Sequence, residues 1–164
     1  MPIVGQETIA RNIVKFGGGF LRHVNVTMEQ ARKILDDQVS RNISLTDHSL
    51  AELARMGHPY SAKYGPQGIP IHDPYWQIHK QSGKLLKSKY SEISEARITG
   101  GKLQASASVG LDEGKAEHAP FVIFGTSRMI PRDVLRQSLT QVQDKVYGII
   151  KRNLRDAVLA FRAE

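Results

Sequence analysis

Ala96-Arg97-Ile98-Thr99-Gly100-Gly101-Lys102-Leu103-Gln104-Ala105-Ser106-Ala107-Ser108-Val109 is the stretch that decides how this chain folds. Gly100-Gly101 between two strand-like runs is a hairpin signal, because glycine enters the positive-φ wells of a tight turn without steric cost. After the turn, Leu103, Ala105, Ala107 and Val109 alternate with Lys102, Gln104, Ser106 and Ser108. A period of two sends the two sets to opposite faces, so this run predicts a half-buried strand. Before the turn, Ala96–Thr99 predicts a short partner strand. From Leu85 a further alternation, Leu86, Ser88 and Tyr90 against Lys87, Lys89 and Ser91, predicts another.

Working outward toward the C-terminus, Phe121-Val122-Ile123-Phe124 is a short apolar run closed by a turn at Gly125, which is expected to take positive φ. Ala119-Pro120 positions the chain ahead of it. Pro131 suits the first position of a last helix. Leu135, Leu139, Val142, Val146, Ile149, Ile150, Leu154, Ala157, Val158 and Phe161 then recur at spacings of three and four. A helix of about 30 residues is ~45 Å long, more apolar stripe than one small sheet covers. Its distal part, around Leu154, Val158 and Phe161, is therefore expected to pack on the first helix and near a neighbouring subunit.

Toward the N-terminus, Thr27 and Gln30 have capping-box spacing and Val26 offers an apolar staple, which predicts a helix from Thr27 through Val39. Thr46-Asp47 starts a second helix that Gly57 and Pro59 end. Residues 1–26 read as a weakly structured arm, with Gly17-Gly18-Gly19 as a hinge. Residues 57–83 form a Pro- and Gly-rich loop, yet Tyr60, Tyr64, Tyr75 and Trp76 make it too apolar for a solvated linker. Such a loop packs on something, and it is expected to be an interface element. The order predicts an α+β fold: a small antiparallel sheet packed by an N-terminal helix and a long C-terminal helix, as one domain over 27–164.

The chain has 164 residues, no cysteine and a net charge of +7. Zero Cys removes disulfides, thiolate metal sites and cysteine nucleophiles. No stretch has the roughly 18 apolar residues of a membrane span, and the first residues lack a signal peptide's basic start and apolar block, so a cytoplasmic origin is expected. Gly83-Lys84, Gly101-Lys102 and Gly114-Lys115 each lack the upstream Gly and the following Ser or Thr of a phosphate-binding loop. His72-Asp73 and His79 share a loop, but scattered histidines among aromatics read as packing residues. No nucleophile, base and orienter set emerges, and no metal, cofactor, small-molecule substrate or catalytic residue is assigned.

Between positions 79 and 102, Lys80, Lys84, Lys87, Lys89, Arg97 and Lys102 outnumber Glu92 and Glu95, leaving +4 on one segment. Two readings stand. Lys84, Lys87 and Lys89 face DNA phosphates, making the chain a basic module that grips a duplex through the 80–102 hairpin. Alternatively, the charges guard a sheet edge against stray pairing.

Two blocks resemble a known family. His118-Ala119-Pro120-Phe121-Val122-Ile123-Phe124-Gly125-Thr126-Ser127-Arg128-Met129, running into Pro131-Arg132-Asp133-Val134-Leu135-Arg136, is similar to the late signature of tailed-bacteriophage head–tail joining and minor tail-component proteins. Upstream, Gln81-Ser82-Gly83-Lys84-Leu85-Leu86-Lys87-Ser88 resembles the same family's Thr-Gly-basic-Leu strand start, in family order. The resemblance covers roughly residues 27 to 162. The chain departs from it at Ile123, where the family has Glu, at Ser82, where it has Thr, and in the longer 57–80 loop. The resemblance implies a non-catalytic virion protein at the neck or top of the tail, assembled in the host cytoplasm. It implies a homo-oligomeric ring between the head portal or adaptor complex and the tail tube or tail terminator, with DNA passing through the lumen. Tyr60, Tyr64, Tyr75, Trp76, Arg128 and Arg132 are the expected contact residues, with Arg128 and Arg132 exposed around the structural turn of Pro120 and Gly125.

Overall fold

The computed structural model describes residues 6–44, 55, 78, 82–127 and 131–162. In chain order these form α1 (Gln6–Ile43), α2 (Lys84–Lys87), β1 (Lys89–Thr99), β2 (Lys102–Leu111), α3 (Ala119–Phe124) and α4 (Val134–Arg162). The fold is α+β, with an N-terminal helix, a two-stranded antiparallel sheet and a long C-terminal helix.

Gly100 and Gly101 have φ of 58° and 73°, both left-handed, as a two-residue turn matched to strand twist requires. The register then changes along β1. Ser94 Oγ and Ser106 Oγ lie 2.9 Å apart, and Ser106 N–H donates to Ser94 Oγ, so these serines share a face. The turn pairs Thr99 with Lys102, and from there β1 takes one step more to reach Ser94 than β2 takes to reach Ser106. Side chains alternate faces at every step, so β1 carries one extra residue between Ser94 and Thr99. Ala96 lies in that interval; it is buried, and its N–H leaves the ladder for Asn25 Oδ1 at 2.7 Å.

Three elements differ from the sequence expectation. The helix expected to start after Thr27 begins at Gln6 and runs through Gly17-Gly18-Gly19. Thr27 does not cap. It is buried, and its hydroxyl donates to the His23 carbonyl one turn back at 2.8 Å, the bond a mid-helix threonine makes. Val24, Thr27 and Ala31, all buried, continue one stripe across the expected boundary, and packing of that stripe outweighs the weak propensity of three glycines. Val26, expected as a staple, is exposed.

The expected strand from Leu85 opens instead as the single turn α2. Gly83 at φ 71° sets the chain into it, and Ser88 Oγ closes it on the Leu85 carbonyl at 2.8 Å. Beyond it, β1 runs unbroken from Lys89 to Thr99. Phe121–Phe124, in sequence only a short apolar run, lies in the helix α3, whose first turn holds Pro120, where a missing N–H costs nothing. The last helix starts at Val134 rather than Pro131, because Asp133 Oδ1 accepts the Arg136 N–H at 3.0 Å and caps it. The helix expected from Thr46 lies outside the described residues, apart from Arg55.

The chain divides into two compact units. The first comprises Met1–Lys33, Glu92–Ser108 and Asp144–Glu164. In it α4 runs beside α1: Asn153 Nδ2 donates to Thr27 Oγ1 at 3.1 Å and to Gln30 Oε1 at 3.0 Å, and Ala157 is buried. The expected packing of the distal helix on the first is thus present, but its inward residues are Asn153, half-buried Leu154 and Ala157, while Val158 is exposed. The Phe161 side chain lies outside the described set.

The second unit comprises Ile34–Ser91 and Val109–Gln143. Its core joins Val39 and Ile43 of α1, Leu85 of α2, Ala119 and Val122 of α3 and Val134 of α4, with Ile78 and Ala116. Beside it buried Asn42 ties α1 to α4: its Nδ2 donates to Ser138 Oγ at 2.8 Å and to Gln141 Oε1 at 3.0 Å. Gln38 Nε2 donates to the same Gln141 oxygen at 2.8 Å. Replacing Asn42 with Ala removes both of these bonds to α4, while the Ser138 hydroxyl keeps its own bond to the Val134 carbonyl at 2.6 Å, so Asn42→Ala is expected to cost about 1–2 kcal/mol, read by urea denaturation.

Candidate interaction surfaces

Gly125 follows α3 with φ 74° and ψ −179°, a region essentially reserved for glycine. This is the positive φ expected of it. Gly125→Ala should therefore lose about 1–2 kcal/mol through backbone strain alone, and a thermal melt superimposable on wild type would refute that. Pro120 is half-buried in the first turn of α3.

Arg132 is not the surface contact expected of it. Its residue surface is 0% exposed, and its N–H donates to the Val122 carbonyl at 2.9 Å, tying the segment before α4 to α3. The residues around it explain the burial. Val122 and Val134, core residues on either side, draw the segment inward. Arg128, Tyr60, Tyr64, Tyr75 and Trp76 lie outside the described residues, as do His72, Asp73 and His79.

What α3 does expose is aromatic. A single helical turn that sends Ala119 and Val122 into the core must send Phe121 and Phe124 outward, and these are 56% and 77% exposed. The sequence shows Phe121–Phe124 only as an apolar run, and its division into inward and outward residues follows from the helical period of α3.

The lysines of the basic segment divide. Lys84 and Lys87, on α2, are exposed. Lys89 is not available to a phosphate. Its Nζ lies 2.6 Å from Asp36 Oδ2 and donates to Ser40 Oγ at 2.6 Å and to the Asp36 carbonyl at 3.3 Å, with its side chain largely covered. It is a tether from the start of β1 to α1, not the DNA-facing residue expected from its place in the basic segment.

Positive charge is also gathered on the C-terminal helix. The first unit holds twelve Lys and Arg against seven Asp and Glu, +5 of the chain's +7. Within it, α4 from Lys145 to Arg155 carries Lys145, Lys151, Arg152 and Arg155 and no acid, bounded by Asp144 and Asp156. All four cations are exposed. Tyr147, on the same stretch, is 68% exposed. The signal was in the sequence: Lys151, Arg155 and Arg162 recur at helical spacing opposite the stripe of Val142, Val146, Ile149, Asn153 and Ala157. Totals over the hairpin obscured it.

Among the described residues no group of three His, Asp or Glu side chains could hold a metal ion, and no helix is long and apolar enough to cross a membrane. Comparison of the chain with family models, with curated proteins and with solved structures finds no match.

Proposed function

We propose that this chain is a structural subunit of a tailed-phage virion, a neck or tail-completion protein that forms a ring joining the head portal or adaptor complex to the tail. One observation carries the reading. The two sequence blocks that resemble head–tail joining proteins lie 30 residues or more apart in the chain, yet they meet in one core: Leu85 comes from the first block, and Ala119, Val122 and Val134 come from the second. Both resembling segments thus serve one structural purpose, and the surface they leave outward, Phe121 and Phe124 beside the Gly125 turn, suits burial by a neighbouring copy. The reading assigns no reaction to the chain; its work is assembly.

A closed ring uses a head-to-tail contact, one surface meeting a different surface on the next copy. Negative-stain imaging of the full chain tests this. Closed annular particles of one diameter support the reading, and a field of uniform small monomers at high protein concentration overturns it. The second reading, a basic DNA-binding module, draws support from the charge gathered in the first unit, although its expected contact through Lys89 is taken up by Asp36.

A further inference from the structure

We infer that the solvent face of α4 from Lys145 to Arg155 is a docking surface for the phosphate backbone of nucleic acid. The inference stands on charge and geometry alone and does not require ring assembly. Among the described residues, Arg32 pairs with Glu29, Lys89 with Asp36 and Lys115 with Asp112. The side chains of Lys145, Lys151, Arg152 and Arg155, by contrast, are exposed and make no ion pair or hydrogen bond among the described residues.

Four exposed cations within eleven residues, none with an acidic partner among the described residues, repel one another, and a dense anion relieves that repulsion. Their placement is helical. Lys151 and Arg155 are one turn apart on the outer face, about 6 Å along the axis, with Arg152 and Lys145 on one flank and Tyr147 on the other. Over the ~15 Å from Lys145 to Arg155 a duplex presents about nine phosphates, one charge per ~1.7 Å. An acidic protein surface is the competing partner. Protein interfaces are depleted of Lys and built on an apolar centre, and here a lone tyrosine stands among four cations, so the polyphosphate is the better match.

Fluorescence anisotropy of the full chain with a random-sequence 30-base-pair duplex, over a series of salt concentrations, tests this. Counterion release gives a slope of log K against log salt of about −0.9 per phosphate contacted. The variant Lys151→Gln, Arg152→Gln, Arg155→Gln should melt like wild type, because exposed charges add little to stability. It should shallow the slope by about 2–3 and weaken binding at low salt at least tenfold. Lys84→Gln with Lys87→Gln should leave the slope unchanged. The inference is overturned if wild type does not bind the duplex, if the α4 variant keeps the wild-type slope, or if polyglutamate competes as well as DNA at equal charge. Should the triple variant fail to fold, Lys145→Gln alone decides, with a slope shallower by about one expected and an unchanged slope contradicting the assignment.

Discussion

Replacing Arg132 with Glu is expected to cost about 3–5 kcal/mol of folding stability, because it reverses a charge in a fully enclosed site. Arg132 sits at 0% exposure between Val122, whose carbonyl accepts its backbone N–H at 2.9 Å, and Val134 at the start of α4. A carboxylate placed there loses its hydration and keeps none of the geometry that accommodates an arginine. The effect is a loss of monomer stability, read as a lower urea midpoint before any assembly is examined. A variant that is folded and as stable as wild type, defective only in assembly, would return Arg132 to the surface role the sequence suggests.

The second large effect has the opposite sign. Changing Gly17, Gly18 and Gly19 together to Ala is expected to raise stability by about 2–3 kcal/mol, since each glycine inside a helix costs up to about 1 kcal/mol relative to alanine. A methyl at each position meets nothing within 4 Å, so no steric term opposes the gain. The melting temperature should rise by several degrees. A hinge predicts otherwise: no gain in stability, or a loss as the helix is forced through a joint. Calorimetry of the triple variant separates the two.

The glycine run and the hairpin differ in how far away their causes lie. The hairpin was legible in the sequence because its cause is local: Gly100 and Gly101 supply the backbone and the alternation from Leu103 supplies the faces. Gly125 was legible for the same reason. The long last helix followed from its period. The glycine run misled because helix propensity is a weak local preference, whereas α1 is held through it by a stripe whose buried members, Val24, Thr27 and Ala31, lie one or more turns later. Thr27 has the side chain of a cap, and only the fold decides that its hydroxyl points back to His23.

The candidate surface was less legible than the fold. Lys89 looks like any strand lysine until Asp36, 53 residues earlier, closes on it. Arg132, close to a proline and beside an aspartate, has a surface composition, and its burial follows from the two core valines that bracket it in space. The cations of α4 were visible in sequence, but that they are exposed and have no acidic partner among the described residues emerges only in the folded chain. Such long-range pairings have no period and no motif, so composition alone assigned the contact charge to the hairpin, whereas a second run of exposed cations lies along α4.

Ring assembly is tested most directly by the mass of the particle in solution. Sedimentation of the full 18.3 kDa chain over a wide concentration range should show monomer giving way to one discrete closed multiple, because a head-to-tail contact that closes stops growing at a fixed copy number. Monomer alone at every concentration, or open-ended growth without a limiting size, would contradict it.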